Sequence, residues 1–189
     1  MAVREYKLIF AGSMGAGKTT AIAAISEIPP VSTEVRNTDQ ATHAKSTTTT
    51  AMDYGEITLH DGGKLRLYGT PGQDRFDFMW KILSRGALGI VILVDNSRPD
   101  PIADLRAYLD AFAETARDSR VVIGIGRTDT HSQPSIDDFY AALLDAEVTA
   151  PIFSIDVRER AQVLLLLDAL FNQIETAERG HRPTLELRT

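Results

Sequence analysis

The chain has 189 residues, with 20 Lys and Arg against 26 Asp and Glu, a formal net charge of −6 and no cysteine. Its length fits one domain, and 43% hydrophobic residues supply a sizeable core. The acidic balance, with no Lys/Arg cluster, excludes a binder of the nucleic-acid backbone; the lack of cysteine excludes disulfides, thiol catalysis and cysteine-held metals.

Lys7 to Ala11 closes an apolar strand that runs into GSMGAGKTT, and AIAAISEI behind it has helical spacing that stops at Pro29 and Pro30. From Pro29 to about Ser46 scarcely any large apolar residue occurs, the composition of a mobile functional loop. EITLH and KLRLYG then alternate around Asp61-Gly62-Gly63 and predict two antiparallel strands. Beyond Pro71 the pattern predicts a helix to about Arg85, strand ALGIVILVD, helix Ile102 to Ala116, strand RVVIGIG, helix Ser135 to Ala146, strand PIFSID and a helix to about Ala177. In that last helix Val163, Leu166, Leu167, Leu170 and Ile174 share one face, which should pack on the sheet. Alternating strands and helices, with strands written as unbroken Val, Ile and Leu, predict an α/β fold with a mostly parallel sheet covered on both faces.

The longest apolar run, Ala87 to Val94, falls short of the roughly 18 residues of a spanning helix, so no membrane span is expected. MAVREYKLIF has neither the form of a signal peptide nor a myristoylation glycine, and HRPTLELRT has no cysteine to prenylate. A cytoplasmic location is expected.

Gly12 to Thr19 matches G-x-x-x-x-G-K-[ST] between a strand and a helix, the context in which that spelling carries chemistry. Backbone N–H groups over Met14, Gly15, Ala16, Gly17, Lys18, Thr19 and Thr20, with the helix N-terminus, would cradle phosphate oxygens, and glycine permits a loop too tight for side chains. Lys18 would neutralise the β and γ phosphates, and the Thr19 hydroxyl would serve Mg²⁺, which takes few protein ligands. The alternative is a plain glycine turn followed by an exposed lysine.

Together GSMGAGKT at 12–19, TTTTAMDYG at 47–55, GTPGQDRF at 69–76, GRTD at 126–129 and DVR at 156–158 resemble a Ras-like small GTPase over about residues 4 to 178. The TPGQ spelling is most similar to the bacterial gliding-motility (Mgl-type) branch and related uncharacterised bacterial ATP/GTP-binding proteins. The resemblance implies a P-loop NTPase three-layer sandwich, the small G-protein fold, with a six-stranded mostly parallel sheet and one antiparallel edge strand. It implies a G domain over 1–178 with a polar tail at 179–189.

It also implies roles. A first-switch threonine would close over Mg²⁺ and γ-phosphate; counting back from Asp53 selects Thr49, with Thr48 as runner-up. Thr19 and Thr49 would thus be the metal residues. Gly72 would offer its N–H to the γ-phosphate and Gln73 would position the attacking water, unless Gln73 is a solvated residue at a helix start. Gly69 stands where such proteins usually have an aspartate that holds Mg²⁺ through water, and Met14 crowds the γ-phosphate position, so slow hydrolysis is expected. Arg36, Arg75 or a partner's arginine are the candidates for the missing positive charge, the alternative being that Arg36 and Arg75 are solvated loop arginines. In the base-reading run, Arg127 would lie over the base and Asp129 would accept from guanine, although Gly126 lacks the bracing amide; Asp129 could instead cap a helix. Val157 would lend an N–H to the guanine carbonyl.

Phe76, Met79, Trp80 and Leu83 form one stripe after Gln73, with Phe78 and Ile82 opposite. The second side would either meet a regulator or effector, with roadblock-type proteins as partners by resemblance, or pack under a neighbouring helix. The expected function is a GTP-binding switch with slow, activator-dependent GTPase activity in a bacterial signalling or polarity process. An ATP-dependent phosphotransferase and a non-hydrolysing nucleotide-binding scaffold are the alternatives.

Overall fold

The structure is a computed structural model that describes residues 4–36, 49–72, 77–118 and 120–178. In chain order the elements are β1 (Glu5–Ala11), α1 (Lys18–Ile25), β2 (Val31–Arg36), β3 (Thr49–Thr58), β4 (Lys64–Gly69), α2 (Asp77–Ser84) and β5 (Gly89–Asp95). These are followed by α3 (Pro101–Ala111), α4 (Ala113–Arg117), β6 (Val121–Gly126), α5 (Ile136–Asp145), β7 (Ile152–Ser154) and α6 (Arg160–Glu178).

The strands form one sheet in the order β2-β3-β4-β1-β5-β6-β7. All β1 contacts are parallel, as are β5 with β6 and β6 with β7; β3 runs antiparallel to both β2 and β4, so β3 alone opposes the rest. This is the expected small G-protein fold with two corrections of detail. Val31–Arg36, read from composition as loop, is a strand, so the sheet has seven strands and its antiparallel member lies one in from the edge. The physical reason is that VSTEVR gains its order from pairing with the distant Thr49–Tyr54 segment rather than from an apolar face of its own.

Alternation on β1 divides the core. Leu8 and Phe10 face a cluster with Ile22 of α1 and Leu167 of α6, while Ile9 and Ala11 face Trp80, Leu105 and Phe139 from α2, α3 and α5. Every residue of β5 is buried, as its unbroken apolar spelling predicts for a central parallel strand. The predicted α6 face is fully committed: Val163, Leu166, Leu167, Leu170 and Ile174 are all buried. Among the described residues no helix is long and apolar enough to cross a membrane.

This topology places the site. β1 connects through α1 toward β2 and β3 on one side of it, whereas β4 connects through α2 to β5 on the other, so the chain diverges at the carboxyl end of β1 and opens a crevice there. The ends of β4, β5 and β6 border the same crevice.

Adjacent leucines on α6 test the packing. Leu166→Ala should cost about 2–5 kcal/mol of stability, whereas Leu165→Ala, on the exposed side, should stay within about 0.5 kcal/mol. Urea midpoints of the two variants measure the difference.

Candidate functional site

β1 ends at Ala11 and the chain turns at Gly12, whose φ of +147° and tight approach to the Leu93 carbonyl leave no space for a Cβ. The loop then climbs to Gly17, the left-handed N-cap of α1, which gives no side-chain cap to the helix. A Cβ at Gly17 would lie 2.7 Å from Val157 Cγ2, so this position is closed to larger residues. The N–H groups of the first turn of α1 therefore face the crevice without a capping side chain, the arrangement that favours an anion.

Lys18 is buried and folds back over the loop, its Nζ donating to the carbonyls of Gly12 (2.6 Å) and Ser13 (2.8 Å). Burial pushes its ammonium down to about 8, an effect opposed by the charge of Asp53. The loop is tied from outside as well: Ser13 Oγ donates to Asp104 Oδ2 at 2.9 Å, and Arg98 pairs with the same carboxylate. Thr19 Oγ1 donates to Asp53 Oδ2 at 2.5 Å. Asp53 served in the sequence only as a counting mark for Thr49; its presence at the phosphate end comes from strand register, which the sequence does not spell out.

Gly72 is docked on the loop. Its carbonyl accepts from the Met14 N–H at 3.1 Å, and a Cβ there would lie 2.8 Å from Lys18 Nζ. The preceding carbonyl, Pro71 O, is held by the Trp80 indole N–H at 2.9 Å, and Trp80 itself packs on Tyr108 of α3 with ring centroids 4.5 Å apart. The start of α2 is thereby tied to the loop and to the core. The Met14 side chain projects outward and is 67% exposed.

A pocket of about 650 Å³ continues from the loop over Gly15, Ala16, Gly17 and Thr20 to residues 126–130 and 154–158. Arg127, with φ of +63°, pairs with buried Asp95, donates to Ser97 Oγ at 3.0 Å and reaches the Gly15 carbonyl at 3.3 Å. Burial pushes the Asp95 carboxyl up, but the hydrogen bonds from Ser97 and Arg127 prevail and hold it below its ordinary value. Asp129 is exposed at the pocket, and among the described residues none donates to its carboxylate. The cap of α5 belongs to Ser135, in a reciprocal box with Asp138, so Asp129 does not spend itself on that helix. Val157 lines the same pocket. Beside it Arg158 folds onto Asp156, whose carboxyl the Arg158 hydrogen bonds hold down at about 2.

Beside Gly126, a side-chain amide comes from the end of the neighbouring strand. Asn96, buried at the end of β5, donates from Nδ2 to the carbonyls of His131 (2.6 Å) and Pro134 (3.1 Å), and its own N–H reaches the Gly126 carbonyl at 3.1 Å. Sequence reasoning passed over Asn96; its only signal was an amide side chain following the last residue of a buried strand.

Other expected residues are not gathered here. Thr49 opens β3 opposite Arg36, four positions before Asp53, which places it about 13 Å along the strand from the Asp53 level. The Thr49 backbone is therefore apart from the Thr19–Asp53 contact, and the Thr49 side chain lies outside the described residues. Thr48, Gln73, Arg75 and Phe76 lie outside the described residues, as do the side chains of Arg36, Phe78 and Met79. On α2, Trp80 is buried and Leu83 packs on the same core, while Ile82 is 57% exposed, in keeping with the expected two sides.

The loop, its lysine and the pocket beyond it stand on a P-loop small-GTPase fold. The chain belongs to the family described as conserved hypothetical ATP binding protein, which matches residues 10–138. It is 21% identical over 183 residues to the Ras-related protein RabC of Dictyostelium discoideum, covering 94% of this chain and 87% of that protein. It is 26% identical over 143 residues to the GTP-binding protein YPTM1 of Zea mays, covering 73% and 68% of the two chains. An uncharacterized protein of Methanocaldococcus jannaschii is 35% identical over 95 residues, 50% of this chain and 53% of that one. Homology to Ras- and Rab-like proteins is thus present at low identity.

The Asn96 brace makes a prediction. Asn96→Ala removes two hydrogen bonds to the His131 and Pro134 carbonyls and should cost about 1–3 kcal/mol, read as a lowered urea midpoint. The space around Gly126, where a Cβ finds nothing nearer than 3.7 Å, admits the amide on the other strand, so adding Gly126→Asn should recover part of the loss.

Proposed function

We propose that the protein is a GTP-binding switch with slow intrinsic hydrolysis, its G domain spanning 1–178 and followed by a polar tail at 179–189. The observation that carries this reading is Gly72 docked on the phosphate loop, its carbonyl on the Met14 N–H and its backbone beside Lys18. A third phosphate at this end would meet the segment that leads into α2, so the presence or loss of that phosphate would move α2. The exposed side of α2, marked by Ile82, is where a regulator or effector would sense the change.

In the triphosphate state the loop amides and Lys18 hold the phosphates, and the Gly72 N–H turns to the terminal one. Thr49 closes from β3, which requires the β2–β3 ribbon to shift toward Thr19. Mg²⁺, once bound, neutralises the phosphate oxygens and the charge that develops during transfer. Thr19, a hard oxygen donor at the head of α1, fits that ion, and Thr49 would be its second protein ligand. Gln73 positions the attacking water. Met14 above the loop keeps the unaided rate low, and Arg36, Arg75 or an arginine from a partner raises it.

Asp129 supports guanine over adenine. A carboxylate can accept from the two donors that guanine presents on one edge, whereas adenine offers a lone pair there. The name of YPTM1, a GTP-binding protein, agrees with this, while the family description points to ATP. An ATP-dependent phosphotransferase therefore stands as the second reading. The Mgl-type placement, a role in bacterial polarity and a roadblock-type partner belong to the first.

Competition for labelled GDP by GTP, GDP and ATP separates the two. GTP and GDP should compete far better than ATP, and Asp129→Ala should weaken GTP by about 1.5–3 kcal/mol, roughly 10- to 150-fold, while leaving ATP nearly unchanged. ATP displacing the label as well as GTP contradicts the guanine reading. For hydrolysis, Gln73→Ala should slow phosphate release without changing GDP affinity; release equal to wild type, with and without an activator, leaves a binding scaffold instead.

A further inference from the structure

We propose that Asp53, reaching across from β3, is the carboxylate that orients Thr19 and a metal-bound water at the Mg²⁺ site, and that β4 ends in Gly69 to make room for it. This rests on the nucleotide reading above.

The geometry is specific. Asp53 and Gly69 face each other as register partners across β3 and β4. A Cβ added at Gly69 would lie 3.1 Å from both Asp53 Cβ and Asp53 Oδ2, and 3.3 Å from Ile22 Cδ1. The two positions therefore share one space, which a single carboxylate can fill from either strand. Here it comes from β3. Asp53 is 8% exposed, and its Oδ2 takes the Thr19 hydroxyl hydrogen at 2.5 Å. That bond turns the lone pairs of the Thr19 oxygen away from Asp53 and leaves the second carboxylate oxygen for a water on the ion.

Charge makes the same demand. A buried carboxylate beside a phosphate cradle repels the phosphates unless a cation stands between them. Lys18 is the nearby cation, but its ammonium is engaged by the Gly12 and Ser13 carbonyls. Thr19 offers a hard oxygen to the ion and Asp53 one to its water, and Mg²⁺ takes few protein oxygens beside phosphates and waters. With so few protein oxygens, the ion should bind with the nucleotide rather than before it. Because Asp53 and Thr49 lie on one strand, the metal would also report to the β2–β3 ribbon.

The test reads nucleotide retention rather than turnover. Protein loaded with fluorescent GDP, and in parallel with fluorescent ADP, is chased with unlabelled nucleotide over a range of Mg²⁺ concentrations and in EDTA, and each variant is checked by thermal melting. Asp53→Asn should raise the Mg²⁺ concentration that half-maximally slows release by about 10- to 100-fold, with release in EDTA little changed. The swap Asp53→Ala/Gly69→Asp should return that concentration close to the wild-type value, which a merely structural role for Asp53 would not predict. A wild-type Mg²⁺ response in Asp53→Asn, or a swap no better than Asp53→Asn, overturns the proposal while leaving the nucleotide reading intact. Wild-type protein that retains neither label overturns both.

Discussion

The turn at Gly12 is the constraint from which the rest of the carboxyl edge follows. Its backbone passes so close to the Leu93 carbonyl that no side chain fits, and that closeness aims the chain from β1 over the sheet toward α1. Once the turn is made, Lys18 can fold back on the Gly12 and Ser13 carbonyls, Met14 can meet Gly72, and the Gly15 carbonyl can meet Arg127. Three segments distant in sequence, at Gly72, Leu93 and Arg127, thus converge on backbone atoms of one short loop. A side chain at Gly12 would disturb all of these contacts at once.

Two aspartates mark the opposite ends of the site and are kept apart in character. Asp53 is buried, bonded to Thr19 and close enough to Lys18 to oppose the fall of its proton affinity. Asp129 is exposed and bonded to none of the described residues, because Ser135 and Asp138 cap the following helix without it. The first suits a cation and the second suits a donor-rich ligand edge. Between them, Asp95 is consumed in holding Arg127 across the loop, and its charge is thereby balanced within the protein.

Much of this was legible in the sequence because it depends on local spelling. GSMGAGKT specifies the turn and its helix, the unbroken apolar run of β5 specifies a buried central strand, and the spacing from Val163 to Ile174 specifies the buried face of α6. What escaped depends on pairing between distant segments. β2 has too few large apolar residues to announce itself and exists through β3; Asp53 gains its place from being opposite Gly69; Asn96 gains its role from the adjacent strand end. Beside each of the two positions whose usual side chain the sequence lacks, 69 and 126, the adjacent strand brings a polar side chain, Asp53 and Asn96. Single-position motif reading registers the absence but not the neighbouring side chain.

The central claim is that one ligand spans the crevice from the phosphate loop to the end of β6. Titrating isotopically labelled protein with Mg²⁺ and GDP while following backbone amide NMR signals tests it most directly. The account predicts large shifts confined to residues 14–20 together with 127–129 and 155–157, saturating at a single affinity. Shifts clustered elsewhere on the sheet, or at the loop with no response from Arg127 to Asp129, would contradict it.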